Sequence, residues 1–253
     1  MSFHVVIPAR LGSTRLPRKV LLDLAGKPVV QWVWQAAMAA GAASVTIATD
    51  AEEVAAVCRS FGADVAMTDA AHQSGTDRAN EVARQRGWSS DTLIVNVQGD
   101  EPLMPPALIA QVATLLMDDG EAHIATLAHA IHDATDFANP NVVKVVCDRR
   151  GYALYFSRAP IPWQRDGSTV AIPLLPQGLA NRHIGLYAYR ADALAEFSAL
   201  PPAVLETCEA LEQLRALAHG FRIKLGFTDT PPPRGVDTQQ DLDTLAAHLA
   251  VSG

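Results

Sequence analysis

Residues 3–19 read FHVVIPARLGSTRLPRK, an apolar run followed by a basic loop. An apolar run that ends at a proline, as Phe3 to Ile7 ends at Pro8, predicts a buried β-strand. The loop after it holds four cations within ten residues of a chain with a formal net charge of −7: Arg10, Arg15, Arg18 and Lys19. Gly12 and Ser13 can turn the backbone so that its N–H groups face an anion. Arginine and lysine suit phosphate contacts, so the pattern favours a phosphate-binding loop, with a solvated basic loop as the alternative.

The rest of the chain alternates short apolar runs with amphipathic segments. We predict strands at 3–7, 44–48, 92–97, 123–131, 142–147, 153–156, 183–189 and 221–227. We predict helices at 28–40, 51–61, 106–117 and 207–219, and a last helix that Asp237 or Thr238 caps and that runs to 249. This alternation is typical of a twisted, mostly parallel sheet with helices on both faces. We therefore expect one α/β domain over residues 1–253, with a long loop or excursion from Pro160 to Asn181.

Composition excludes several classes of function. The 27 acidic and 20 basic residues argue against a nucleic-acid-binding surface. Three cysteines without CxxC spacing argue against disulfides or zinc and favour a cytoplasmic protein. No stretch approaches the about 18 apolar residues of a membrane helix, and we expect no membrane partner. The fingerprints GxGxxG and GxxxxGK[ST] are absent, which argues against a dinucleotide oxidoreductase and a P-loop NTPase.

Two aspartates are candidate metal ligands. Residues 92–101 read TLIVNVQGDE, which places Asp100 at the tip of a predicted strand, where a carboxylate suits Mg²⁺. Asp237 lies in the segment GVDT at 235–238. Each has a structural alternative, because aspartate is also common in turns and at helix N-caps.

Two further segments carry polar groups suited to a small polar ligand. In HQSGTDR at 72–78, Gln73 and Ser74 can bond a pyrimidine edge or ribose, whereas Thr76 can simply cap a helix. On the strand RHIGLYAYR at 182–190, a period of two places His183 and Tyr187 on one face. They can bind sugar hydroxyls, although a lone strand histidine is more often structural.

These segments resemble, in order, those of the sugar-acid cytidylyltransferases. The resemblance includes IPAR at 7–10, STRLP at 13–17, QGD at 98–100, VVKV at 142–145, YFSRAPIPW at 155–163 and LEQLR at 211–215. It extends from residue 3 to about residue 245. The chain departs from the family at Arg18, where glycine is usual, and at Val20, where proline is usual. Arg18 is expected to add bulk and charge beside the bound triphosphate.

The resemblance implies a nucleotidyltransferase fold with CTP and 3-deoxy-manno-octulosonate (Kdo) as substrates. CMP would pass to the anomeric hydroxyl of Kdo for lipopolysaccharide synthesis, and a homodimer would form through an excursion at 153–182 that also borders the sugar pocket. Mg²⁺ would bind Asp100 and Asp237, which are expected to act in catalysis with Arg15 and Lys19. The residues expected to bind CTP are Arg10, Ser13, Arg15, Lys19, Gln73, Ser74 and Gln98. Those expected to bind the sugar are Arg78, Arg158, His183, Tyr187, Glu212 and Gln213.

Alternatives remain for several of these roles. Arg78 can be a surface residue, and Glu212 and Gln213 can belong to a solvent-exposed helix face. The sugar can instead be neuraminic acid or 8-amino-Kdo, and a non-catalytic nucleotide-sensing protein can share the same fold.

Overall fold

A computed structural model describes residues 2–12, 15–165 and 179–252. Its strands are β1 (Phe3–Pro8), β2 (Asp23–Leu24), β3 (Lys27–Pro28), β4 (Ser44–Thr49), β5 (Asp64–Met67), β6 (Leu93–Asn96), β7 (Ile124–Ala130), β8 (Lys144–Cys147), β9 (Ala153–Ser157), β10 (Asn181–Arg190) and β11 (Ile223–Phe227). Its α-helices are α1 (Val29–Ala39), α2 (Glu52–Ser60), α3 (Gly75–Gln85), α4 (Pro106–Met117), α5 (Ala134–Ala138), α6 (Ala191–Ala199), α7 (Val204–Glu209), α8 (Gln213–Ala218) and α9 (Gln239–Ser252). A short 3-10 helix spans Lys19–Leu21.

One mixed sheet organises the domain, with the order β11-β7-β10-β6-β1-β4-β5. Along this path only the two pairings of β10, with β6 and with β7, are antiparallel. Six of these seven strands therefore run in the same direction, and the prediction of a mostly parallel α/β sheet is confirmed. The hairpin of β8 and β9 joins the sheet beside β10.

Helices cover both faces of this sheet because neighbouring residues of a strand point to opposite sides. Val5 and Ile7 of β1 are fully buried and pack in one apolar cluster with α1, α2 and α4. Val6, also fully buried, packs in a second cluster with α3, α6 and α8. The apolar run that opens the sequence is therefore the centre of the domain. No helix in the described part of the chain is long and apolar enough to cross a membrane.

The single helix predicted at 207–219 is wrong. The chain forms two helices there, α7 and α8, and Ala210 between them has a left-handed backbone with φ of 51°. The sequence still shows a helical spacing of apolar residues across this break, because Leu211 and Leu214 are both buried. Strand β5 and helix α6 were not predicted. The expected loop at 160–181 lies partly outside the described residues, and Asn181 already belongs to β10.

Three segments of the chain meet at the carboxyl ends of β1 and β6. The amide of Gly99 donates to the carbonyl of Pro8 at 3.2 Å, and the amide of Val236 donates to the carbonyl of Asp100 at 2.8 Å. A Cβ at Gly99 would lie 2.6 Å from the oxygen of Pro8, and one at Gly235 would lie 2.8 Å from the oxygen of Asp100. Both contacts are too short for a side chain, so glycine is what allows these segments to approach.

Candidate active site

A cluster of opposite charges forms where these segments meet. Lys19 Nζ donates to Oδ2 of Asp100 and, at 3.2 Å, to Oδ1 of Asp237. The guanidinium of Arg15 lies 3.0 Å from the same Oδ1. The structure thus brings together all four residues expected to act in catalysis, from three distant parts of the chain.

The capping alternative for Asp237 does not apply, because Thr238 takes that role. The Thr238 hydroxyl accepts from the amide of Asp241 at 3.2 Å, and the Asp241 carboxylate accepts from the amide of Thr238 at 2.8 Å. This reciprocal pair satisfies the start of α9. The carboxylate of Asp237 remains directed at Arg15 and Lys19.

The charge of Lys19 is stabilised by its two partners. Burial alone would lower the pKa of Lys19, but the charges and hydrogen bonds of Asp100 and Asp237 outweigh it and raise that pKa. Its side chain is only 16% exposed. A fixed cation therefore sits between two carboxylates at neutral pH.

A cleft of about 400 Å³ opens beside this cluster. Its lining includes the described residues that were predicted to bind CTP, namely Arg10, Arg15, Lys19, Gln73, Ser74 and Gln98. Asp100 also lines it. The remaining candidate, Ser13, lies outside the described residues. The structure thus groups these side chains at one cleft, and their individual roles stay predictions.

Ser74, rather than Thr76, caps helix α3. The Ser74 hydroxyl accepts from the amide of Asp77 at 3.1 Å, and Asp77 accepts from the amide of Ser74 at 3.2 Å. Thr76 is instead buried and donates to Oε2 of Glu212 at 3.0 Å. Glu212 is therefore linked to the residue that follows Ser74 and Gly75 at the wall of the cleft.

Arg78 lines the same cleft as a buried cation. Its side chain is 3% exposed and forms an ion pair of 3.0 Å with Asp50. It also donates to the hydroxyl of Thr68 at 2.8 Å. The alternative of a surface residue is wrong for Arg78, and its predicted contact with the sugar stays a prediction.

Arg18 was expected to lie beside the bound triphosphate, but its guanidinium does not lie in the cleft. It pairs with Glu53 of α2, and Arg18 does not line this cleft. Its backbone is left-handed, with φ of 61°. This conformation suits glycine, which explains physically why glycine is usual at this position of the resembled loop.

Two of the predicted sugar-binding residues, His183 and Tyr187, lie next to each other on β10. His183 packs against Phe156 and Tyr187, with ring centroids 4.9 Å and 5.3 Å away, and its Nε2 lies 3.0 Å from the hydroxyl of Thr126. Burial, and then the charge of Arg182, lowers the pKa of His183 to about 3. Burial also raises the pKa of Tyr187. His183 is therefore neutral and Tyr187 keeps its proton at neutral pH.

Glu212 carries a carboxylate oxygen without a protein partner. Its Oε1 is buried and has no hydrogen-bond partner among the described residues. Burial raises the pKa of Glu212, although the bond from Thr76 opposes this. The neighbouring Gln213 is buried as well. The alternative of a solvent-exposed helix face is thus wrong for both residues.

Arg158 is occupied by backbone carbonyls. Its Nε donates to the oxygen of Glu209 at 2.6 Å, and its terminal nitrogens donate to the oxygens of Pro140 at 3.1 Å and Ala210 at 3.3 Å. It does not line the cleft beside Asp100. The predicted contact of Arg158 with a sugar carboxylate stays a prediction that this geometry does not support.

A second cleft of about 410 Å³ shares Arg15 and Asp100 with the first. It is also lined by Glu101, Arg182 and Arg234, none of which the sequence reasoning selected. Burial and the charge of Asp100 raise the pKa of Glu101 to about 8. The only feature of the sequence that could have indicated Glu101 as a site residue was its position directly after Asp100. Arg182 was missed because strand periodicity directed attention to the face of His183.

A family model described as Cytidylyltransferase matches residues 4–223. The chain belongs to this family. It is 53% identical over 253 residues to a 3-deoxy-manno-octulosonate cytidylyltransferase of Cellvibrio japonicus, covering 99% of each chain. It is 51% identical to the protein of the same name from a Marinomonas species, covering 98% of this chain and 96% of that protein.

A solved structure of another cytidylyltransferase shows the same fold over its full length. It is a CMP:2-keto-3-deoxy-manno-octonic acid synthetase in complex with CTP, with a TM-score of 0.91 and 40% identity, and the match covers 100% of both chains. A cytidylyltransferase from Leptospira borgpetersenii, 15% identical with a TM-score of 0.62, shares the fold.

Proposed function

We propose that this cytidylyltransferase transfers CMP from CTP to the anomeric hydroxyl of Kdo, with release of pyrophosphate. The observation that carries the proposal is the convergence of Asp100, Asp237, Arg15 and Lys19 at the mouth of a cleft lined by the predicted CTP residues. The names of the relatives over the full chain support the choice of substrates. The cytoplasmic location predicted from the cysteines, and the role in lipopolysaccharide synthesis that the resemblance implies, remain predictions.

The mechanism needs position and charge rather than a covalent nucleophile. Arg10, Arg15 and Lys19 hold the triphosphate, with the α-phosphorus near Asp100. The sugar hydroxyl attacks that phosphorus, and pyrophosphate leaves from the opposite side. The positive groups of the loop neutralise the charge that develops on the leaving group. This site lies at the carboxyl ends of parallel strands, where α/β proteins usually bind such ligands.

The residues present fit a divalent cation. Asp100 and Asp237 direct carboxylate oxygens at one cation, the ammonium of Lys19, and these side chains are 27% and 46% exposed. Within the described residues there is no cluster of three or more His, Cys, Asp or Glu side chains able to hold a metal. A pair of carboxylates such as Asp100 and Asp237 suits Mg²⁺, which is bound through one or two carboxylates together with water and substrate phosphates. Mg²⁺ bound there would polarise the α-phosphate and favour ionisation of the hydroxyl.

We place the sugar acid near Glu212, which lines neither cleft itself but accepts from Thr76, the residue that follows Ser74 and Gly75 in the wall of the first cleft. The unpartnered Oε1 of Glu212 can accept from a sugar hydroxyl, and an unsatisfied buried acceptor is costly without such a donor. Tyr187, which stays protonated, can donate a hydrogen bond. Glu212→Gln would test this placement, because it changes an acceptor and should raise KM for Kdo with little effect on KM for CTP.

Pyrophosphate release tests the function directly. We expect turnover with CTP and Kdo, and little with ATP or GTP, because a purine is larger than the pyrimidine that this cleft is expected to admit. The assay pairs the four nucleoside triphosphates with Kdo, 8-amino-Kdo and neuraminic acid. Preference for another sugar acid would change the substrate assignment, and absence of release with every pair would favour a non-catalytic protein.

A homodimer is the predicted assembly, and exposed apolar side chains support it. Leu154, Trp163 and Leu179 are 61%, 60% and 42% exposed within or beside the predicted excursion, and Val204 of α7 is 86% exposed. Residues 166–178 of that excursion lie outside the described residues. Sedimentation equilibrium should give a dimer, and Leu154→Asp should weaken it. Met38→Asp, at a side chain 54% exposed on α1, is the control and should leave it intact.

A further inference from the structure

We infer that Lys144 is a positioning residue that holds in place the loop at 139–142 and the corner that carries Glu212, the predicted sugar ligand, without touching substrate. Lys144 begins β8, and its side chain is fully buried. Its Nζ donates to three backbone carbonyls, those of Asn139 at 2.9 Å, Val142 at 2.6 Å and Arg158 at 2.6 Å. A lysine ammonium has three protons, and all three are used here. The inference rests on the proposed function for the identity of the sugar.

The first two carbonyls belong to a loop that forms part of the second cleft. Asn141 and Val142 line that cleft together with Arg182. The amide of Val142 donates to the same Asn139 oxygen at 3.1 Å, which closes the loop on itself. Lys144 therefore holds the loop at 139–142 in the shape that it has in the wall of the second cleft.

The third carbonyl connects Lys144 to the corner between α7 and α8. Beside it, the Ser157 hydroxyl and the Arg158 amide donate to the two carboxylate oxygens of Glu209, at 2.7 Å and 2.9 Å. The Arg158 guanidinium adds bonds to the carbonyls of Glu209 and Ala210. Glu212 follows Ala210 by two residues. This series of hydrogen bonds therefore ends close, along the chain, to Oε1 of Glu212, which has no hydrogen-bond partner among the described residues.

A lysine is needed here because three carbonyls converge on one buried point. Burial lowers the pKa of Lys144, and the nearby carboxylate of Glu209 opposes that effect. An apolar side chain would fill the space but would remove the donor from the oxygens of Val142 and Arg158, and would leave the oxygen of Asn139 with the amide of Val142 alone. The loop at 139–142 and the corner at 209–210 would shift, whereas Val145 would still pack in the core.

The experiment compares Lys144→Met with Lys224→Met. Methionine keeps the length of the chain and removes every donor. Lys224 is the matched control, because its Nζ also donates to a backbone carbonyl, that of Arg150 at 2.7 Å, and pairs with Asp119, yet it lines neither cleft. In Lys144→Met we expect KM for Kdo to rise at least about tenfold and KM for CTP to stay within about twofold. Lys144→Arg, which restores charge and donors, should recover part of the loss. Lys224→Met should lower stability without changing either KM.

A second measurement needs no activity. Amide hydrogen exchange in Lys144→Met should accelerate at 139–143, 157–160 and 205–213, and remain unchanged in β1, β4 and β6. If the methionine variant does not fold, Lys144→Gln, which keeps two donor protons, serves in both measurements. Equal rises in both KM values, the same split in Lys224→Met, or uniformly faster exchange would overturn the inference. Wild-type protein inactive with Kdo would instead refute the proposed function, and exchange alone would then decide the role of Lys144.

Discussion

Oδ1 of Asp237 lies 3.2 Å from Nζ of Lys19, although 218 residues separate the two in the chain. The contact follows from the sheet, because the loop after β1 and the tip of β6 lie at the same edge. The backbone bond from Val236 to Asp100 then brings Asp237 to that edge. The carboxylates of Asp100 and Asp237 therefore both face the positive charge of the Lys19 ammonium.

Replacement of either carboxylate by its amide should abolish most turnover without unfolding the protein. Asparagine keeps the size of aspartate and its hydrogen-bonding oxygen but removes the charge that a hard cation requires. We expect Asp100→Asn and Asp237→Asn each to lower kcat roughly 100-fold or more, about 2.7 kcal/mol in activation free energy. The measurement is pyrophosphate release as a function of Mg²⁺ concentration.

The double variant is the control for a shared role. Groups that act through one centre are not additive, so the double variant should lose less than the product of the single losses. Asp241→Asn, at the capping partner of Thr238, should affect stability more than turnover. Near-normal Mg²⁺ dependence in Asp100→Asn would contradict the metal assignment.

Arg15→Ala should weaken CTP binding while the melting temperature stays almost unchanged. The side chain of Arg15 is 68% exposed, so it contributes little to packing. Loss of one charged phosphate contact costs roughly 1.5–3 kcal/mol, which is about 10- to 100-fold in Kd. Calorimetric titration with CTP measures the effect. Arg18→Ala, in the same loop but directed at Glu53, should leave Kd for CTP within about twofold. Equal effects of the two variants would show a diffuse charge effect rather than a specific contact.

The fold was largely predictable because its signals are local. The runs at 3–7, 44–48 and 92–97 are mainly apolar, and the corresponding strands are buried on both faces of the sheet. The break at Ala210 was not predictable, since alanine favours helix and its left-handed backbone reflects tertiary contacts. Strand β5 was missed because it is an edge strand of four residues with two exposed side chains.

The grouping of candidate site residues at one cleft was predictable where charge and glycine occur together in one segment, as in the loop at 8–19 and the segment at 98–100. Roles that depend on side-chain direction were not. Arg158 matched the resembled pattern, yet its guanidinium is bound by three carbonyls. Conversely, Lys144 lay inside a matching segment, but nothing in the sequence indicated that three carbonyls converge on it.

Glycine at position 18 should give a more stable protein than alanine there. Arg18 has φ of 61°, a region in which a Cβ is strained and glycine is not. Both Arg18→Gly and Arg18→Ala lose the exposed ion pair with Glu53, so their difference isolates the backbone effect. We expect Arg18→Gly to be about 1 kcal/mol more stable to unfolding than Arg18→Ala, the reverse of the usual order. Urea denaturation measures it, and a more stable alanine variant would rule out the left-handed backbone.

Stability should fall as the pH is lowered through the range in which unfolded histidine takes up a proton. The pKa of His183 is about 3 in the folded protein and 6.5 for an unperturbed histidine, so between these values the unfolded chain binds a proton that the folded chain does not. The contribution of His183 is fully present above pH 6.5 and is lost as the pH falls toward 3. One such proton changes the free energy of unfolding by at most about 1.4 kcal/mol per pH unit.

His183→Gln isolates this contribution. Glutamine can place an amide nitrogen near the position of Nε2, within reach of the Thr126 hydroxyl, and does not titrate. The free energy of unfolding, measured by urea denaturation between pH 5 and 7, should fall more steeply with decreasing pH in the wild type than in the variant. All other titrating groups are common to both proteins, so the difference in slope reports on position 183 alone. Parallel curves would mean that His183 is protonated as readily in the folded protein as in the unfolded chain, and the packing of its ring between Phe156 and Tyr187 would then not exclude its charge.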